Sequence, residues 1–195
     1  IIIGILWFIT PFIMWYVSKE ENKKQAINLL NKEEKQYVID IGRKTWDYFD
    51  TYLKEENNYL IPDNYQGDRK EKIVKRTSST NLGLSLLAII SAYDLLYIDL
   101  KKALYLLDKV ILSIESLQKW NGHLYNWYNI ETKEPLKPRY VSTVDSGNFI
   151  GYLYVTKTFL QNLIDYQNKE DIEVDKENLR NLVNIIDNMI KSCDF

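Results

Sequence analysis

The chain has 195 residues, 25 Lys and Arg against 27 Asp and Glu, a formal net charge of −2, one His and one Cys. Charges so evenly mixed exclude the clustered excess of Lys and Arg that nucleic-acid backbones require, so no nucleic-acid partner is expected. One Cys, Cys193, cannot close an internal disulfide, and a lone His and Cys cannot assemble a zinc site.

Residues 1–17, IIIGILWFITPFIMWYV, carry no charge. Roughly 20 such residues span a bilayer, so this run reads as a truncated transmembrane helix with Trp15 and Tyr16 at the interface. A signal peptide would show a basic start and a small-residue cleavage site, and neither is visible. A buried core helix is the other reading. With no initiator Met, the chain is expected to be a piece of a longer protein. Residues 18–34 form a charged linker whose Lys19, Lys23 and Lys24 weakly favour the cytoplasmic side.

From residue 35 to residue 195, apolar residues recur at helical spacing in five blocks, and none shows sustained strand-like alternation. The expected class is all-α. Val38, Ile41, Thr45, Phe49 and Tyr52 mark the first helix, and Leu82 to about Ile98 a second that is apolar nearly all round. Leu100, Leu104, Leu107, Ile111 and Ile114 mark a third, striped helix. A fourth runs from about Gly147 to Tyr166, and Leu179, Val183, Ile186 and Ile190 mark a fifth. Links two-to-three and four-to-five are short, whereas one-to-two and three-to-four each hold about two dozen residues, far above the usual connection. In an antiparallel helical array that alternation puts both long loops at one end. Near-continuously apolar helices suit an inner layer and striped ones an outer layer, the pattern of a partial (α/α)6 toroid.

The first long loop ends in RTSSTNLGLSLL, where Thr77, Ser78, Ser79, Thr80 and Asn81 offer capping oxygens. Capping explains one or two of them. Asp63 and Asn64, after a proline, make a turn or a site. The second loop packs Trp120, Tyr125, Trp127, Tyr128 and Tyr140 with His123, Asn126, Arg139, Asp145 and Asn148. Flat aromatic faces beside amide, guanidinium and carboxylate groups suit a sugar, whose ring faces are apolar and whose hydroxyls need donors and acceptors. The plainer alternative buries the aromatics in the loop and pairs Arg139 with Asp145; His123 alone reads as a structural histidine. Glycoside chemistry usually requires two carboxyl groups. Asp145 and Asp63 are the best acids in these loops, but the sequence does not make them a pair.

Taken in order, LIPDNYQ, RTSSTNLGLSLL, GHLYNWY and PLKPRYVSTVDSGN, after the apolar run and TWDYFD, resemble the middle region of bacterial cyclic β-1,2-glucan synthases. Ser79 stands where that pattern has Pro, and Gly67 where it has an acid. The resemblance implies a large inner-membrane protein in which an upstream domain builds β-1,2-glucan from UDP-glucose, with no cofactor in this region. A glycoamylase-like α/α toroid would then transglycosylate and cyclise the chain. By resemblance, Asp63, Asn64, Arg76, Thr77, Asn81, His123, Asn126, Trp127, Tyr128, Arg139, Tyr140, Asp145 and Asn148 line the glucan cleft. Asp145 is the best catalytic candidate within the chain, and the catalytic carboxylates themselves are expected beyond Phe195.

Overall fold

In a computed structural model of the chain, residues 2–18, 30–166 and 175–193 are described; most of the expected linker lies outside them. Residues 1–41 and 42–195 form separate compact units. In the first, α1 (Ile2–Val17) is a 16-residue apolar helix with Pro11 inside it. At 1.5 Å per residue that is about 24 Å, short of the roughly 30 Å hydrocarbon core of a bilayer. No helix among the described residues is long and apolar enough to cross a membrane, so the expected span is not met by this element. Its Trp7, Phe8, Phe12, Trp15 and Tyr16 are nevertheless exposed.

α2 (Lys32–Tyr52) starts at a reciprocal cap: Asn31 Oδ1 accepts from the Glu34 amide at 2.9 Å, and Glu34 Oε2 from the Asn31 amide at 2.8 Å. Of the expected stripe, Phe49 and Tyr52 pack against the core, and the first half does not. Val38, Ile41 and Thr45 are exposed, and Trp46, Phe49 and Leu53 turn inward at i, i+3 and i+7.

Besides the second half of α2, the described residues of the second unit form four α-helices: α3 (Ser79–Asp94), α4 (Leu100–Glu115), α5 (Thr143–Tyr166) and α6 (Lys176–Ser192). Of the five capping oxygens near α3, Ser78 is the cap, accepting from the Asn81 amide at 3.2 Å. Asp99 and Asp175 cap α4 and α6. α3 ends four residues earlier than expected, because Leu96 adopts a left-handed φ of 59° and the amides of Tyr97 and Ile98 turn back to the Ala92 carbonyl. α5 begins four residues earlier than expected, with Ser142 Oγ accepting from the Asp145 amide at 3.3 Å.

α3 packs along α5 and against α4, while α6 packs on α5 and α4. The two helices read as inner are therefore neighbours, and so are the two read as outer. Leu82, Leu86 and Ile89 of α3 meet Leu107, Ile111 and Ile114 of α4, Leu153 and Leu160 of α5, and Leu179 and Ile186 of α6 in one core. Each such side chain contributes roughly 1.5–3 kcal/mol by leaving water. Gly83 lets α5 come close, since a Cβ there would lie 2.0 Å from the Tyr152 ring.

The long stretches between helices add four two-residue strands that periodicity could not reveal: β1 (Arg76–Thr77), β2 (Lys119–Trp120), β3 (His123–Leu124) and β4 (Tyr128–Asn129). β2 and β3 form a hairpin through Asn121 and Gly122, at φ 46° and 81°. Its tip rests on the end of α6, where Cys193 Sγ donates to the Gly122 carbonyl at 3.2 Å.

Candidate functional site

The two long loops are joined by backbone. β1 pairs antiparallel with β4, setting Arg76 opposite Asn129 and Thr77 opposite Tyr128. The Asp63 amide then donates to the Arg76 carbonyl at 2.7 Å, and the Asn126 amide to the Tyr140 carbonyl at 2.8 Å. Residues far apart in sequence are brought to the end of the helices where α3 and α5 begin.

One corner is centred on Asp63. Its Oδ2 accepts from Arg76 Nη2 at 3.1 Å, Arg76 Nε at 3.3 Å and Asn64 Nδ2 at 2.9 Å, while Oδ1 accepts from Asn81 Nδ2 at 3.0 Å. The Arg76 guanidinium lies over the Trp127 ring, 4.1 Å from its centroid. Behind the corner, Tyr48 donates to the Pro62 carbonyl at 2.9 Å. Burial, then the nearby Tyr52 and Asp63, push the Tyr48 phenol up to about 12.

The other corner is centred on Asp145, in the first turn of α5, where a carboxylate meets the positive end of the helix dipole. Thr80, in the first turn of α3, donates its hydroxyl proton to Asp145 Oδ1. Asn126 faces two donors, the Trp127 indole N–H and the Tyr140 hydroxyl. The amide orientation that satisfies both turns its oxygen to them at 2.6 and 2.7 Å, and its nitrogen to Asp145 Oδ2 at 3.3 Å. Among the described residues Asp145 forms no ion pair, so the Arg139–Asp145 link weighed from the sequence is absent.

Asp63, Asn64, Arg76, Asn81, Asn126, Trp127, Tyr140 and Asp145 are thus brought together by contacts among themselves. Arg139 is exposed near them in sequence, and Asn148 is exposed one helical turn beyond Asp145. Three other expected cleft residues lie beneath the surface. Tyr128 is fully buried; its hydroxyl donates to the Gln118 carbonyl and accepts from the Tyr125 amide, both at 2.7 Å, and burial raises its pKa strongly. Thr77 is buried opposite it, and His123 is buried in the β2–β3 hairpin. Their place under the loops is decided by strand pairing, which the aromatic count in the sequence could not convey. Two residues outside the expected set matter here, Thr80 and Tyr48. Thr80 had a signal: it was a surplus hydroxyl in a run where one cap sufficed.

Among the described residues no group of three His, Cys, Asp or Glu is placed to hold a metal ion. A hollow of about 470 Å³ between Gln66 and Lys75, and one of about 570 Å³ beside Tyr59 and Tyr105, lie away from these carboxylates. The site is an open surface of paired polar groups and an indole, suited to orienting a hydroxyl-rich ligand.

Over 150 residues, 77% of its length, the chain is 36% identical to the cyclic β-(1,2)-glucan synthase NdvB of Rhizobium meliloti (strain 1021). The chain is a relative of a cyclic β-(1,2)-glucan synthase. That is the family whose motifs the sequence resembles. The chain spans 5% of that synthase's length. No protein-family model matches it. In fold, it is similar to an endo-β-1,2-glucanase from Chitinophaga pinensis solved with sophorotriose and glucose, at a TM-score of 0.61 and 19% identity, over 82% of this chain and 37% of that one. A putative glucoamylase from Bacteroides fragilis aligns at a TM-score of 0.59 and 20% identity, over 86% of this chain and 37% of the other. A β-1,2-glucanase from Parabacteroides distasonis gives 0.59 and 14%, over 82% and 21%. The mostly helical fold of the synthase-related chain is therefore glucoamylase-like.

Proposed function

We propose that this chain is part of a domain that transglycosylates and cyclises β-1,2-glucan within a membrane-bound cyclic β-1,2-glucan synthase. The observation that carries the reading is the convergence of Trp127, Arg76, Tyr140, Asn126 and Asp145 from two loops onto one surface, in a chain related to such a synthase. An indole face and fixed amide, guanidinium and carboxylate groups match a glucosyl ring and its hydroxyls.

In such a reaction a glycosyl group passes to an enzyme carboxylate and then to a sugar hydroxyl in place of water. Cyclisation is the case in which that hydroxyl belongs to the same glucan, favoured by holding both ends in one site. Asp63 and Asp145 suit binding and positioning, because both oxygens of each already accept hydrogen bonds; the acid and the nucleophile would come from outside this chain. Incubating the full-length parent protein with linear β-1,2-glucan tests this. Cyclic products of new size are expected by mass spectrometry, and an unchanged size distribution would sink the reading.

The full engagement of both carboxylates also favours a second reading, a glucan-binding module without catalysis of its own. In that case the parent would retain linear β-1,2-glucan on an affinity gel yet leave its length unchanged.

The uncharged, exposed α1 and the lysines after it support attachment of the parent to the inner membrane, with the helical unit in the cytoplasm. Protease treatment of sealed vesicles of both orientations checks the sidedness.

A further inference from the structure

The polar groups at the starts of α3 and α5 form one connected chain: Thr80 to Asp145, Asp145 to Asn126, Asn126 to the Trp127 indole N–H, and the Trp127 ring to Arg76, which is clamped by Asp63. Each link restrains the next. The indole is held at its edge by the 2.6 Å bond from Nε1 to Asn126 and on one face by the guanidinium. Asn126 is nearly buried, and its oxygen accepts from both Trp127 and Tyr140. In that orientation its nitrogen meets an acceptor, Asp145 Oδ2 at 3.3 Å, which adds a third restraint to the two donors on its oxygen. Asp145 in turn keeps its Oδ2 toward Asn126 because Oδ1 is held by Thr80.

We infer that Thr80 is a positioning residue of the site: acting through Asp145 and Asn126, its hydroxyl presets the Trp127 indole and the Tyr140 hydroxyl for a glucosyl ring. Thr80 need not touch the ligand. The ligand half of this inference rests on the glucan-binding reading above, whereas the Thr80-to-Trp127 coupling does not. Three physical conditions make the coupling effective. The two helix starts are fixed by the core beneath them, the relay bonds are partly shielded from water, and a carboxylate acceptor strengthens the bonds that end on it.

The test compares the full chain with its Thr80→Val, Thr80→Ser and Asn126→Asp variants. Val keeps the shape and removes the donor, Ser keeps the donor, and Asp at 126 removes the relay's donor to Asp145 from the other side. Tryptophan emission is recorded without ligand, each spectrum paired with one in a Trp127→Phe background to isolate Trp127. Binding of linear β-1,2-glucan oligosaccharides is then measured by calorimetry. The expected result is a change in the Trp127 emission for Thr80→Val and Asn126→Asp, wild-type emission for Thr80→Ser, and about tenfold weaker glucan binding for the first two alone. If the chain binds no glucan but the emission pattern appears, the coupling stands and the glucan-binding reading falls. If Thr80→Val leaves the Trp127 emission unchanged, or Thr80→Ser perturbs it as much as Val does, the inference is overturned. Should Thr80→Val not fold, Thr80→Ala, which also removes the hydroxyl, decides by the same signs.

Discussion

Asp63 and Asp145 stand on the same surface and have every oxygen engaged, yet their surroundings differ in kind. Asp63 is tied to a guanidinium and two amides, so its charge is neutralised within the first loop. Asp145 is met by a hydroxyl and an amide, both neutral, and forms no ion pair among the described residues. The difference teaches how one carboxylate can serve as a strut while another keeps its charge. A neutralised, many-bonded acid holds a loop in shape; an acid held by neutral donors at a helix start still presents a negative field to a ligand.

The largest expected break is at the strut. Asp63→Ala strands Arg76 and Asn81 and should lower stability by roughly 2–3 kcal/mol, read from urea denaturation, because partly buried polar groups lose their partner. Asp145→Asn, by contrast, should cost under about 1 kcal/mol, since the Thr80 bond survives and the helix keeps its hydroxyl cap at Ser142. Its larger effect should be about tenfold weaker glucan binding by calorimetry. Equal stability losses in the two variants would erase the distinction between strut and charge.

A titration sharpens the same contrast. Tyr48 has its pKa raised from 10.0 to about 12, chiefly by burial, so its neutral form is favoured on folding. That stabilisation is complete below about pH 10 and is lost as pH rises through about 12. Thermal melts should therefore fall across this window, less steeply in Tyr48→Phe. Asp63 is among the causes of the shift, so Asp63→Asn should lower the Tyr48 pKa in an ultraviolet titration, and Asp145→Asn should leave it in place. The smallest effect belongs to the rim of the first loop. The Lys75–Glu131 pair is about half exposed, and Lys75→Ala should leave both stability and glucan binding unchanged within error.

Much of this was legible in the chain itself. The apolar period located four of the helices to within a few residues, and the uneven links announced two long loops at one end. For α2 the period held only in part: Phe49 and Tyr52 pack on the core with Trp46, and Val38 and Ile41 stay exposed. In the loops, the β1–β4 pairing and the adjacent starts of α3 and α5 bring eight of the polar and aromatic residues named from the sequence together. Thr77, His123 and Tyr128 have the same types and yet serve as floor, because the β1–β4 and β2–β3 pairings turn them inward. Thr80 was visible as a surplus hydroxyl, but its partner lies 65 residues away.

The sequence by itself determined what is local: helical period, caps such as Asn31, Ser78 and Asp99, loop length, and the motifs that link the chain to a cyclic β-(1,2)-glucan synthase. These depend on neighbours within a few positions, where backbone geometry alone relates one residue to the next. Only the tertiary structure decided which acid is neutralised, which aromatics are buried, and that Thr80 reaches Asp145. Those outcomes follow from two strands pairing across some 50 residues and from two helices starting side by side, contacts whose geometry no local pattern encodes.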